Sequence, residues 1–141
     1  DEVSEFQFDC VYLAGGHGSM YDFPDNIVLQ AILKKQYENE KKVAAICHGV
    51  CGLLNVTLAS GEYLVKDKKL QDSAGLKKFW QEGKGRAFDL ETELKDRGAR
   101  YEKALIPMTS KVVIDGNLFT GENPFSSKKM AEVILQCFSK K

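Results

Sequence analysis

Two apolar stretches of strand length, the first running into glycines and the second into a cysteine, flank an amphipathic segment in the first third of the chain. Residues 8–14 (FDCVYLA) read as a buried strand running into Gly15-Gly16-His17-Gly18. Over residues 25–38 the apolar positions Ile27, Val28, Ala31 and Ile32 recur at helical spacing. They predict an amphipathic helix, with Asp25 or Asn26 as candidate N-cap. Residues 43–46 make a second short apolar strand, and a helix-compatible stretch follows over 50–58. Two strands separated by a helix predict a βαβ unit with parallel strands and a right-handed crossover.

The pattern is weaker in the middle of the chain. Residues 62–70 hold one or two short strands, and 73–82 a helix carrying Trp80 that ends at Gly83-Lys84-Gly85. Residues 89–97 (DLETELKDR) predict a helix with Asp89 as N-cap, acidic residues in the first turn and Gly98 as its stop. A short strand is expected over 99–103. Residues 112–120 read as a hairpin turning at Asp115-Gly116, and 121–124 as a loop. Ser126 or Ser127 then caps a last helix through about Phe138, with Met130, Val133, Ile134 and Cys137 on one face.

Composition adds limits. With 43% hydrophobic residues over 141 positions, the chain can bury a core as a single domain. Twenty basic residues balance twenty acidic ones, which leaves no electrostatic footprint for nucleic acid or an anionic membrane surface. No apolar run approaches the roughly 20 residues of a bilayer-spanning helix. Asp1-Glu2-Val3-Ser4-Glu5 has none of the character of a signal peptide. Of the four cysteines, Cys10 and Cys137 lie in apolar contexts and read as buried thiols. No disulfide framework is expected, and the compartment reads as reducing and cytoplasmic.

Chemistry concentrates at Lys42-Val43-Ala44-Ala45-Ile46-Cys47-His48-Gly49. An apolar strand that stops at a cysteine, a histidine and a glycine has the layout of a nucleophile elbow. A helix N-terminus there, with unpaired N–H groups, favours the thiolate of Cys47. His48 supplies an acid or base beside it. The backbone N–H of His48 and the Gly15-Gly16 loop are candidate donors to a developing oxyanion. Both loops follow strands, so both belong at the carboxyl edge of a parallel sheet, where open α/β folds place ligands. The plainer alternative is a structural thiol at a turn. Cys51, four residues on, reads as core packing or as a thiol that resolves an oxidised Cys47. Cys47, His48 and Cys51 lack the fourth ligand of a zinc site, so no metal is expected. His17 is either a pocket wall or part of a glycine turn, and the Gly15–Gly18 run fits neither dinucleotide-binding nor P-loop patterns.

The stretch from Phe8-Asp9 through Leu13-Ala14-Gly15-Gly16-His17-Gly18-Ser19-Met20 to Asp22-Phe23-Pro24-Asp25-Asn26 resembles the pocket loop of the ThiJ/PfpI superfamily. Val43-Ala44-Ala45-Ile46-Cys47-His48-Gly49 resembles its nucleophile elbow. The segments 94–104 and 115–127 are similar to its later parts, and the match runs in order over nearly the whole chain. The branch indicated holds glutathione-independent glyoxalases of the glyoxalase III type and related holding chaperones. The resemblance implies a flavodoxin-like three-layer α/β sandwich with a mainly parallel sheet and one late hairpin, commonly as a homodimer. It implies Cys47 as nucleophile and His48 as its acid/base partner, with Gly15, Gly16 and His17 lining the substrate site. Methylglyoxal, a small 2-oxoaldehyde, would become D-lactate without metal, glutathione or other cofactor.

Family members carry a segment ahead of Phe8 that supplies a central strand and a glutamate near the nucleophile. Residues 1–141 are therefore expected to be the later part of a single family domain lacking its N-terminal strand or strands. The missing segment is a candidate complementing chain. An acidic residue about 30 positions after the elbow often orients the histidine in this family. Here that region reads Leu70-Gln71-Asp72-Ser73-Ala74-Gly75-Leu76-Lys77-Lys78, and Asp72 is the nearest acidic candidate. A non-enzymatic chaperone or oxidation sensor with an oxidisable Cys47 is the second reading. An amidase or peptidase is the third. A glutamine amidotransferase needs a histidine far downstream of its nucleophile, and none follows His48.

Overall fold

Every residue of the strand Lys42–Ile46 after the first is buried, as expected of a central strand covered on both faces. The computed structural model describes residues 5, 7–71, 88–102 and 110–140. In chain order these form β1 (Cys10–Leu13), α1 (Ser19–Asp22), α2 (Ile27–Glu38), β2 (Lys42–Ile46), a 3-10 helix (Cys47–Leu53), β3 (Lys69–Leu70), α3 (Leu90–Asp96), β4 (Arg100–Tyr101), β5 (Val112–Asp115), β6 (Leu118–Gly121) and α4 (Ser126–Ser139). The main sheet has the order β1-β2-β6-β5. β1, β2 and β6 run parallel, and β5 closes an antiparallel hairpin with β6. β3 and β4 pair in parallel as a small second sheet. The chain is thus an α/β fold with a mainly parallel sheet and one late hairpin.

Strand alternation assigns the layers. Leu13, Val43, Ala45 and Leu118 point to one face and pack with Leu33, Leu53, Leu54 and Leu64. Ala44 and Phe119 point to the other and meet Met130 of α4, with Cys10, Val112, Val133, Ile134 and Cys137 around them. The sheet is therefore the middle of three layers. The expected face of the last helix is the one that packs, although Cys10 and Cys137 are half-buried rather than fully enclosed.

Local signals place most elements. Asn26 is the cap of α2, accepting from the Leu29 amide at 3.0 Å. Gly98, at φ +84°, follows α3 in the left-handed region that a glycine adopts without cost. Four expectations shift. The stretch after β2 is a seven-residue 3-10 helix ending at Leu53, not a helix over 50–58. It is pinned at Gly49 and Gly52, where an added Cβ would lie 2.5 Å from the Leu13 carbonyl and 2.8 Å from Leu13 Cδ1. The hairpin loop is Gly116-Asn117, one residue later than read, because Asp115 pairs with Leu118. Gly116 takes the left-handed conformation at φ +61°. Asn117 is then spent on the neighbouring turn, donating to the carbonyls of Tyr37 and Lys41 at 3.1 and 2.7 Å. Neither serine caps α4. Phe125 is its N-cap residue, while Ser127 Oγ donates back to the Pro124 carbonyl at 2.7 Å. The apolar face read on α2 shifts as well, with Ile27, Val28 and Ala31 exposed and Leu33 and Gln36 buried. Within 62–70 one short strand forms, Lys69–Leu70, as expected, and Tyr63 makes an isolated bridge to Thr57. The helix read over 73–82, with Trp80, lies outside the described residues.

Candidate active site

β1 and β2 deliver their loops to the same edge because they are parallel and in register, Leu13 opposite Ala45. The residue after β2 is Cys47, held at φ +53°. That conformation is uncommon for a side chain with a Cβ and costs energy that the surrounding structure must offset. The strained turn is the elbow expected from the sequence. Packing holds it from the β1 side. A Cβ added to Gly15 would lie 2.8 Å from Cys47 Cβ, 2.8 Å from the Ile46 carbonyl oxygen and 3.5 Å from the His48 backbone nitrogen. Only glycine allows the first loop to approach the elbow this closely.

The Cys47 sulfur lies 3.5 Å from His48 Nδ1. Both residues are largely enclosed, 7% and 8% exposed, so the thiol has little contact with bulk solvent. It nonetheless lines a cavity of ≈ 430 Å³ with Ala14, Gly15, Gly16, His17, Ile46 and His48. Tyr12, Pro124 and Ser127 complete the wall. The His17 ring stands edge-on to that of His48, with centroids 5.7 Å apart and planes at 80°. Of the residues named from the sequence, Cys47, His48, Gly15, Gly16 and His17 come together here, and Asp72 lies outside the described residues.

Cys51 belongs to the core. It is fully buried and its Sγ donates to the Ser19 carbonyl at 3.1 Å. Burial pushes its pKa up to about 12. Among the described residues no group of three or more His, Cys, Asp or Glu is placed to hold a metal ion. No helix among them is long and apolar enough to cross a membrane.

Sequence reasoning missed Tyr12, Pro124 and Ser127 as part of the wall. A signal for Tyr12 existed. Leu13 is buried under α2, so the period of two turns Tyr12 to the opposite face, toward α4. Pro124 and Ser127 arrive only through the pairing of β6 beside β2, with Gly121 opposite Ile46, which local pattern does not reveal.

Parallel strands whose loops close on a cysteine elbow at their carboxyl ends make this an α/β protein of the flavodoxin-like class. Comparison with known proteins narrows it further: the DJ-1/PfpI family profile matches residues 1–137, and the chain belongs to that family. A probable glutathione-independent glyoxalase of Schizosaccharomyces pombe, hsp3103, is 33% identical over 96% of this chain and 55% of its own. Among solved structures, the Rapid Encystment Protein 24 kDa of Francisella tularensis is 34% identical with a TM-score of 0.85, covering 92% of this chain and 57% of that one. Glyoxalase III of Candida albicans is 28% identical with a TM-score of 0.80, covering 92% of this chain and 56% of that one. The chain thus spans little more than half the length of these relatives.

Proposed function

We propose that this chain carries the reacting centre of a glutathione-independent glyoxalase of the glyoxalase III type. One observation carries the reading: Cys47, strained at φ +53° and 3.5 Å from His48 Nδ1, lines a cavity against the Gly15–His17 loop. Its relatives' names point the same way, among them the glutathione-independent glyoxalases of fission yeast.

The chemistry follows from those groups. His48 takes the thiol proton, and the sulfur adds to the aldehyde carbon of methylglyoxal to give a hemithioacetal. Removal of the proton on that carbon gives an enediol, and reprotonation at the adjacent carbon leaves a thioester of lactate. Water then cleaves the thioester, so methylglyoxal plus one water becomes D-lactate and the thiol is restored. The electrons shift within the substrate, so the balance needs neither glutathione nor an external oxidant. In this reading, backbone N–H groups at the elbow and the glycine loop stabilise the developing oxyanion. A cytoplasmic homodimer completes the proposal, and light scattering of the purified protein tests the dimer.

Measuring D-lactate from methylglyoxal with the intact protein and its Cys47→Ala variant tests the mechanism. Turnover should vanish in the variant, and His48→Ala should lose about 10²–10⁴-fold as a general acid–base group does. Equal turnover by wild type and Cys47→Ala would remove the sulfur from the reaction.

A further inference from the structure

The cavity is larger than methylglyoxal requires. At ≈ 430 Å³ it falls within the roughly 300–1,000 Å³ of pockets that enclose drug-sized ligands. A three-carbon dicarbonyl has only two C–C bonds of about 1.5 Å each. Bonded to the Cys47 sulfur, it would leave much of the space unfilled. The wall beyond the elbow is built by Tyr12 and Ser127. Tyr12 pairs with Ala44, three residues before Cys47, or about 10 Å back along the strand. Its side chain turns toward α4, where Ser127 sits in the first turn.

The two hydroxyls form a polar spot on walls that are otherwise mostly apolar. The Ser127 hydroxyl faces the Tyr12 phenol closely enough to offset part of the rise that burial imposes on its pKa. Ser127 Oγ spends its proton on the Pro124 carbonyl, which leaves its lone pairs to accept. Tyr12 remains 43% exposed and lines the cavity. A ligand hydroxyl, as in an alcohol, can donate to the lone pairs of either oxygen. An aromatic or alkyl tail would cover both oxygens and add no hydrogen bond to either.

We infer that Tyr12 and Ser127 are specificity-determining residues that bind a hydroxyl on the tail of a 2-oxoaldehyde longer than three carbons, such as a sugar-derived one. This rests on the glyoxalase reading of the same site. The test compares kcat/KM for 3-deoxyglucosone, a six-carbon hydroxylated 2-oxoaldehyde, with that for methylglyoxal and for phenylglyoxal. Measurements use the wild-type protein, Tyr12→Phe and Ser127→Ala.

One neutral hydrogen bond is worth about tenfold. The ratio of the 3-deoxyglucosone value to the methylglyoxal value should therefore fall roughly tenfold in each variant, through KM. The phenylglyoxal ratio should hold. Turnover of methylglyoxal with an unchanged ratio in both variants overturns the inference and leaves the glyoxalase reading intact. So does a wild-type preference for phenylglyoxal over 3-deoxyglucosone. Turnover of none of the three aldehydes overturns both.

Discussion

Cys47 and Cys51 stand four residues apart on one 3-10 helix, and the structure gives them opposite chemistry. Cys47 lines the cavity with an imidazole nitrogen 3.5 Å from its sulfur. Cys51 is sealed in the core, and its pKa of about 12 leaves about one thiolate in 10⁵ at pH 7. Burial also raises the pKa of Cys10, although Lys42 opposes it in part. Timed iodoacetamide labelling of the native protein, read by peptide mass, should therefore modify Cys47 ahead of Cys10 and Cys137 and leave Cys51 untouched. Uniform labelling would mean that the elbow is a structural turn. The 3-10 geometry bears on the same residue. Seven residues give a weaker dipole than the longer α-helix read from the sequence. Activation of Cys47 then falls more to His48 and the nearby backbone N–H groups.

Among the elements, α2 does the most to fix the site, because it is the crossover that brings β1 and β2 into parallel register. Its start depends on Asn26, whose side chain accepts from the Leu29 amide at 3.0 Å. Asn26→Ala should cost about 1 kcal/mol, seen as a lower urea midpoint with an unchanged slope. A change under a few tenths would mean that the helix is held by packing of Leu33 and by Gln36, whose Nε2 donates to the Phe8 and Lys42 carbonyls at 2.8 and 3.3 Å. The buried face of α2 was not legible in advance: Ile27, Val28 and Ala31 are exposed, and Leu33 and Gln36 are the positions that pack inward. The cap and the glycine loop after β1 were legible, because each is a local signal. The α4 cap was misread for the reverse reason. Ser126 is buried where Gly121 and Met130 pack, and Ser127 turns back to Pro124, so neither hydroxyl reaches the first-turn amides. Those contacts depend on β6 lying beside β2, a long-range pairing that no sequence window contains. The cavity divides in the same way. Its elbow and glycine loop could be read from motifs, whereas Tyr12 and Ser127 meet only through the layered fold.

Across the molecule the two sheets are joined at one seam, and a carboxyl sits inside it. The Lys69 amide donates to Asp115 Oδ2 at 2.9 Å, and the Gln71 amide donates to Thr120 Oγ1 at 3.0 Å. Gln71, fully buried, extends Nε2 to Glu122 Oε2 at 3.3 Å. Its Oε1 has no hydrogen-bond partner among the described residues. Glu122 is 3% exposed, and burial raises its pKa above the ordinary 4.5, with Lys111 lowering it in part. Below pH 4.5 the folded and unfolded states both hold the proton, and the seam contributes its full stability. Above it the unfolded chain releases the proton first, so stability is lost as pH rises through the folded value and then levels off. In Glu122→Gln no charge can form, and the new amide N–H can satisfy the Gln71 oxygen left without a donor. The variant should melt above wild type at pH 8, and the gap should narrow at pH 4. Melting curves that shift in parallel at both pH values would show that the carboxyl is ionised in the folded protein without penalty, and that the seam is held by its backbone bonds to Asp115 and Thr120.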